Sequence, residues 1–177
     1  MFNPPKKGRV GSSVPRTIIT AMGSSGGAFT HYLAGTRTGL LAAIAPVCTQ
    51  TGWNEPDNAG PIIVPPSPLE PIAVMMVRGT LDPTRPYFGG LNNDNALCHS
   101  AAEDTAYWTA ADSCGGGPVT TSVLNVTTYR YSPCVGTTEV VLVAVGGMGH
   151  LWSDASDGFN FDANVKVIDF LLQHARP

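Results

Sequence analysis

The sequence predicts an α/β fold, in which a mostly parallel sheet is covered by helices on both faces. Several segments are apolar or β-branched almost throughout, which is typical of strands buried on both sides. These segments are residues 16–21, 40–47, 72–77 and 139–145. Apolar residues at helical spacing occur between or after them, in residues 28–34, 100–111 and 160–174. Strands and helices that alternate in this way favour parallel strand connections.

The rest of the chain supports a single domain. Its 177 residues suit one globular unit with a sizeable core. Residues 1–15, rich in proline and glycine, are predicted to be an irregular lead-in, and residues 16–177 to form one domain. Residues 49–71 are loaded with proline and glycine and are predicted to form a long surface loop. Residues 120–131 carry a β-type pattern.

Composition excludes several classes of function. A formal net charge of −3 offers no basic surface for a phosphate backbone, so nucleic acid is not an expected partner. No apolar run approaches the roughly 20 residues that cross a bilayer, so no transmembrane segment is expected. Residues 1–15 are not expected to form an intact signal peptide, which leaves a cytosolic protein or a missing N-terminus as the two alternatives. The oligomeric state is left open by the sequence.

The four cysteines, at positions 48, 98, 114 and 134, show no C-x-x-C pair and no metal-ligand spacing with histidine. No metal is predicted. An even number of cysteines is compatible with disulfides in an exported protein, and the sequon Asn125-Val126-Thr127 agrees with export. Buried free thiols are the alternative.

Residues 23–27, Gly-Ser-Ser-Gly-Gly, match the G-x-S-x-G pattern of a serine nucleophile. Glycines on both sides of the serine permit a cramped turn that lifts the side chain above the strand ends. The motif needs a strand before it and a helix after it, and residues 16–21 and 28–34 are predicted to supply both. Ser25 is therefore the candidate nucleophile, and the backbone N–H of Gly26 is the candidate oxyanion donor.

A serine hydroxyl needs a histidine to remove its proton and a carboxylate to orient that histidine. His150 is the candidate base because it lies in a glycine-rich loop after the strand predicted at 139–145. Asp82 follows the strand predicted at 72–77 and is the candidate acid, with a simple Asp-Pro turn as the alternative. His31 is expected to pack or cap instead. The order Ser25, Asp82, His150 is that of one group of serine hydrolases.

Several blocks around these residues resemble the polyhydroxybutyrate depolymerase and feruloyl or acetylxylan esterase group of α/β hydrolases, which is carbohydrate esterase family 1-like. The matching blocks are residues 20–28, 42–47, 79–87, 89–90, 107–114, 131–134 and 147–152. The resemblance implies the α/β-hydrolase fold, secretion, the triad Ser25, Asp82 and His150, and a disulfide between Cys114 and Cys134. Arg78 departs from the group, which usually has histidine there, and so does the stretch after Trp152.

The expected reaction is hydrolysis of a carboxylic ester through an acyl-enzyme on Ser25, without a cofactor. Short polyhydroxyalkanoate, feruloyl and acetyl-sugar esters all suit the resemblance, so the substrate is a small ester, a polyester or an esterified polysaccharide. Tyr87, near the acid, and Trp152, beside the base, are candidate walls for an acyl or aryl group, or they simply pack.

Members of this group place several strands and an oxyanion loop before the serine, and few residues precede Ser25. The sequence therefore predicts a fragment or truncated product of a longer esterase. An inactive remnant that binds a glycan or polyester, or does nothing in isolation, is the first alternative. A serine peptidase is the second, because acyl transfer to esters and amides uses the same groups.

Overall fold

The computed structural model describes residues 17–19 and 23–174, so the lead-in predicted at 1–15 lies outside the described residues. Ten strands follow one another along this part of the chain. They are β1 (Thr17–Ile19), β2 (Leu41–Ile44), β3 (Trp53–Glu55), β4 (Ala59–Ile63), β5 (Ala73–Gly79), β6 (Gly90–Leu91), β7 (Leu97–Cys98), β8 (Val119–Val123), β9 (Val126–Tyr131) and β10 (Val140–Val145). The α-helices are α1 (Gly23–Thr36), α2 (Ala101–Ala111) and α3 (Ala163–Gln173).

The strands form two sheets. The larger has six strands in the order β1-β2-β5-β10-β9-β8, and the smaller has four in the order β4-β3-β7-β6. Pairs β1-β2, β2-β5 and β5-β10 are parallel. The remaining five pairs, two in the larger sheet and all three in the smaller, are antiparallel. The larger sheet is therefore mixed, and the smaller is antiparallel.

The prediction of an α/β-hydrolase fold with a mostly parallel sheet is wrong. Antiparallel pairs outnumber parallel ones, and the described residues contain three α-helices. The β8-β9 hairpin extends the sheet at one edge, and every residue of β8 is exposed. The physical reason is that an apolar run indicates burial but not the direction of the neighbouring strand. The connection after β8 is a tight turn at Leu124 and Asn125, too short for a parallel crossover.

The segment predicted as a long surface loop, residues 49–71, instead contains β3 and β4, and its first residues, Thr49 to Thr51, are buried. The short strands pair with β7 and with each other to build the smaller sheet. The cramped turn predicted at residues 23–27, before the helix, is also wrong, because α1 already begins at Gly23.

Two apolar clusters hold the larger sheet. The first combines alternate side chains of β2, β5 and β10 with buried residues of α3, among them Val167, Phe170 and Leu171. The second combines the other side chains of the same strands with Trp108 of α2 and Ala34 of α1. The three parallel strands are thus fixed from both sides, which makes them a rigid base for the loops that follow them.

The disulfide predicted between Cys114 and Cys134 is confirmed, and it ties the end of α2 to the segment after β9. A disulfide is compatible with an extracellular protein. Cys48 and Cys98 are free and buried. Of the helices within residues 17–19 and 23–174, none is long and apolar enough to span a bilayer.

Candidate active site

Asp82 and His150 form a hydrogen bond at the carboxyl ends of β5 and β10. The Asp82 Oδ2 and His150 Nδ1 atoms lie 2.8 Å apart. The other carboxylate oxygen, Oδ1, accepts the backbone N–H groups of Thr84 and Arg85, each at 2.8 Å. Because a carboxylate only accepts, the imidazole donates from Nδ1 and leaves the Nε2 lone pair available as a base.

Backbone contacts join the two loops that carry this pair. Strands β5 and β10 are parallel neighbours in which Gly79 pairs with Val145. Beyond them, the N–H of Leu81 donates to the carbonyl of Met148 at 3.0 Å, and the N–H of Gly147 donates to Thr80 Oγ1 at 2.9 Å. Gly79 permits this approach, since a Cβ there would lie 2.3 Å from the Met148 oxygen. The loops are therefore positioned as one unit.

A buried ion pair between Arg78 and Asp104 supports the acid loop from the core side. Arg78 Nη2 donates to the backbone carbonyls of Arg85 and Pro86 at 3.3 and 3.1 Å. Asp104 Oδ1 in turn accepts the N–H of Thr51 at 2.8 Å. The pair thus links the loop after Asp82 to the buried segment after β2.

The base loop has a second anchor at Asn125, in the turn of the β8-β9 hairpin. The N–H of Gly146 donates to the carbonyl of Asn125 at 2.7 Å, and Asn125 Nδ2 donates to the carbonyl of Gly146 at 3.0 Å. The remaining amide oxygen accepts from Asn160 Nδ2 at 2.9 Å. Both ends of this sequon side chain are therefore engaged in fixing the chain that leads to His150.

Ser25 is exposed in the first turn of α1 and lines a cavity of about 370 Å³. The other residues of this cavity are mostly large and apolar, with one arginine: Ala28, Phe29, Tyr32, Trp53, Ile63 and Arg85. Arg85 is also the residue whose N–H binds Asp82, so the cavity borders the acid loop. Within the described part of the chain, no hydrogen bond joins the Ser25 hydroxyl to His150.

Gly26 lies beside Ser25 in the first turn of α1, at the positive end of the helix dipole. Its carbonyl accepts the Thr30 hydroxyl at 3.0 Å. The following residue, Gly27, packs so closely on Thr49 that a Cβ would lie 2.4 Å from Thr49 Cγ2. The start of α1 therefore abuts the segment after β2, next to Cys48. The oxyanion role of Gly26 stays a prediction.

The two residues predicted as substrate walls lie elsewhere around the site. Tyr87 lines a separate cavity of about 590 Å³ between α2 and β9, together with Phe88, Tyr129 and Tyr131. Trp152 packs against the first core cluster and donates its indole N–H to Asn164 Oδ1 at 2.9 Å. Neither lines the cavity that contains Ser25, and their substrate-binding role stays a prediction.

The other three histidines have different environments. His31 is fully buried, accepts the Trp108 indole N–H at Nδ1, and has a pKa lowered to about 4 by burial. This agrees with the packing role expected for it. His99 and His174 face Asp104 and Glu139, and each of those carboxylates is already paired with an arginine. In the described ion pairs, Asp82 is paired only with His150.

Cys48 is a site residue that sequence reasoning missed. One ligand atom from each of Cys48, Asp82 and His150 lies within 4.8 Å of the other two. The thiol donates to the Leu151 carbonyl at 3.0 Å, and burial raises its pKa to about 11. A thiol in this state is not a nucleophile, because the thiolate is the reactive form. The available signal was its position after a buried strand, the same signal that identified Asp82 and His150.

The chain matches no protein-family model and no curated protein sequence.

Proposed function

We propose that the protein is a serine esterase in which Ser25 is the nucleophile, His150 the base and Asp82 the residue that orients the base. The observation that carries the proposal is the 2.8 Å hydrogen bond from His150 to a carboxylate whose other oxygen is held by two backbone N–H groups. When backbone N–H groups hold one oxygen of a carboxylate, the other oxygen can set both the tautomer and the ring orientation of a catalytic histidine.

Burial supports the same assignment. The Asp82 side chain is 1% exposed, whereas that of His150 is 25% exposed. A buried carboxylate stays in place, and a partly exposed imidazole can reach a substrate at the surface. Ser25 is exposed beside an apolar cavity, and Arg85 contributes to that cavity while its N–H holds Asp82.

In the proposed reaction, the Ser25 hydroxyl attacks the ester carbonyl as His150 Nε2 accepts its proton. The negative charge that develops on the carbonyl oxygen is stabilised at the positive end of α1, with the N–H of Gly26 as the proposed donor. His150 then protonates the leaving alcohol, and an acyl-serine remains. A water molecule, deprotonated by His150, releases the acid and restores the hydroxyl. No step requires a cofactor.

The substrate class that we propose is a carboxylic ester with an apolar acyl or aryl part. Phe29, Tyr32 and Trp53 offer apolar and aromatic surface beside Ser25. Short polyhydroxyalkanoate, feruloyl and acetyl-sugar esters all meet this description. We also propose that the protein is secreted, and the Cys114–Cys134 disulfide supports this proposal.

One observation favours a second candidate, a binding module without catalysis. The Ser25 hydroxyl has no hydrogen bond to His150 in the described residues, and an aligned pair is what the esterase requires. A cavity lined by aromatic residues would suit a glycan or polyester equally well.

The deciding experiment treats the purified chain with a fluorophosphonate probe and follows hydrolysis of a short-chain p-nitrophenyl ester. If the protein is a serine esterase, mass spectrometry should locate the probe on Ser25. Both the labelling and the ester hydrolysis should be lost in Ser25→Ala. Ser122→Ala, which removes an exposed hydroxyl on β8, is the matched control and should retain both. A folded chain that is never labelled favours the binding module. Hydrolysis of the matched p-nitroanilide at a similar rate indicates a peptidase.

A further inference from the structure

Three side chains with metal-binding atoms meet at the edge of the larger sheet. Cys48, Asp82 and His150 follow β2, β5 and β10, which are adjacent parallel strands whose carboxyl ends share that edge. Their ligand atoms lie within 4.8 Å of one another, and this is the one group of three such residues within 17–19 and 23–174. They come from distant parts of the sequence, so no ligand spacing revealed them.

The Cys48 backbone is well anchored. Its N–H donates to the carbonyl of Val77 at 2.9 Å, and the preceding residue, Val47, forms a parallel bridge with Val77. The thiol is directed at the loop that carries His150, where the carbonyls of Leu151 and Gly149 lie 3.0 and 3.8 Å from Sγ. The sulfur therefore occupies a fixed position beside the hydrogen-bonded acid and base.

Sulfur, nitrogen and carboxylate oxygen form the ligand set of zinc and cadmium rather than of magnesium or calcium, which take oxygen ligands. Zinc bond lengths of about 2.0–2.3 Å in a tetrahedron put neighbouring ligand atoms about 3.5 Å apart. Atoms within 4.8 Å of one another reach that spacing through shifts of about an ångström. Three protein ligands also leave a fourth position for water.

We propose that Cys48, Asp82 and His150 bind a thiophilic divalent cation such as Zn²⁺, and that the bound cation switches off the base. Binding would proceed with transfer of the thiol proton to water and formation of a sulfur–metal bond. The cation would replace the proton between Asp82 Oδ2 and His150 Nδ1, and the neutral imidazole would carry its proton on Nε2 instead. A protonated Nε2 has no lone pair for the Ser25 proton. The switch rests on the proposed esterase function, whereas binding does not.

The binding test is a titration of the full chain with Cd²⁺, which reports thiolate ligation through an ultraviolet charge-transfer band. We expect one equivalent to bind and the band to appear. Cys48→Ser should abolish the band, while Cys98→Ser, which alters the other buried free thiol, should keep it. A band that persists in Cys48→Ser, a band that is lost in Cys98→Ser, or no band in the unmodified chain would overturn the proposal.

A second variant guards against failure of Cys48→Ser to fold. His150→Ala removes a side chain that is one-quarter exposed and leaves the thiol in place. The band should remain, but the affinity for Cd²⁺ should fall at least about tenfold, since even supporting residues of metal sites contribute that much. Unchanged affinity would mean that His150 is not a ligand, which contradicts the site.

The switch is tested by measuring the rate of ester hydrolysis with and without Zn²⁺ and then again after a chelator is added to each sample. The unmodified chain and Cys98→Ser should be inhibited at least tenfold and recover with chelator. Addition of Zn²⁺ should change the rate of the Cys48→Ser variant less than twofold. If Zn²⁺ inhibits this variant as strongly as it inhibits the unmodified chain, the site is refuted. Should hydrolysis be absent altogether, the proposed function fails while the cadmium titration still decides the site.

Discussion

Arg78 and Asp104 form an ion pair in the core, with side chains 1% and 0% exposed. The pair lies between two parts of the candidate site, because Arg78 binds the carbonyls after Asp82 and Asp104 binds the N–H of Thr51. When one member of a buried ion pair is removed, the other charge stays buried without compensation. The integrity of the acid loop should therefore depend on this pair.

Asp104→Asn should destabilise the protein by about 3–5 kcal/mol, because the charge on Arg78 would remain buried without an anion. Urea-induced unfolding followed by circular dichroism measures the loss. Arg130→Gln is the matched control, since Arg130 pairs with Glu139 but its side chain is 42% exposed. That change should cost less than about 1 kcal/mol. Equal losses in the two variants would show that burial of the Arg78 pair has no special effect.

Gly79→Ala should lower both stability and ester hydrolysis. The new methyl group would lie 2.3 Å from the carbonyl oxygen of Met148, so the loops of Asp82 and His150 must separate. Overpacking of this kind costs about 1–3 kcal/mol. Gly149→Ala, in the same loop as His150, meets nothing within 4 Å and should retain its stability. Thermal unfolding of the two variants compares them directly, and equal melting temperatures would contradict the close approach.

Asp82→Asn should reduce kcat by about 10⁴-fold with little change in KM, the magnitude that loss of the correct histidine tautomer has in a serine protease. The new amide would present a donor to His150 Nδ1, which would stabilise the tautomer with hydrogen on Nε2. Steady-state hydrolysis of a p-nitrophenyl ester measures the effect. Asp169→Asn, which changes an exposed aspartate of α3, should have no effect. A decrease of less than tenfold in Asp82→Asn would remove Asp82 from the proposed triad.

The central strands were predictable from sequence, whereas their arrangement was not. Residues 72–77 are apolar throughout and residues 139–145 are apolar after Glu139, and every residue of β5 and β10 is buried. Strand direction depends on partners that a single segment does not specify, so the antiparallel β9 next to β10 was missed. The apolar pattern also did not predict which face of α1 is buried. Phe29 and Tyr32 of α1 are 61% and 55% exposed, while Thr30 and His31 are buried.

The proximity of Asp82 and His150 was predictable because both follow a buried strand, and the structure brings them within hydrogen-bonding distance. Their roles as acid and base stay predictions. Cys48 follows β2 in the same way. Because cysteine is so often a buried core residue, this position did not by itself distinguish a site residue from a core residue. Trp53 was assigned to a loop, and only the packing of the smaller sheet brings it beside Ser25. The residues missed are those whose role depends on contacts between distant segments.

Two buried groups should give the pH dependence of stability opposite signs. Burial lowers the pKa of His31 to about 4, so below pH about 6.5 the unfolded chain gains a proton that the native chain does not, and stability falls as pH decreases. Burial raises the pKa of Asp112 to about 7, although its carboxylate accepts the N–H of Ile72. The native chain therefore keeps a proton that the unfolded chain releases above pH about 4, and stability falls as pH increases to about 7.

Between pH about 4.5 and 6.5 these two effects oppose each other, and single substitutions should separate them. His31→Gln, whose amide oxygen can still accept the Trp108 indole N–H, removes the histidine contribution. Its stability relative to the unmodified chain should increase as pH falls, by about 1.4 kcal/mol per pH unit. Asp112→Asn should show the opposite slope of similar size. Urea unfolding across this range measures both, and slopes of the same sign would mean that at least one of the groups does not titrate as its burial requires.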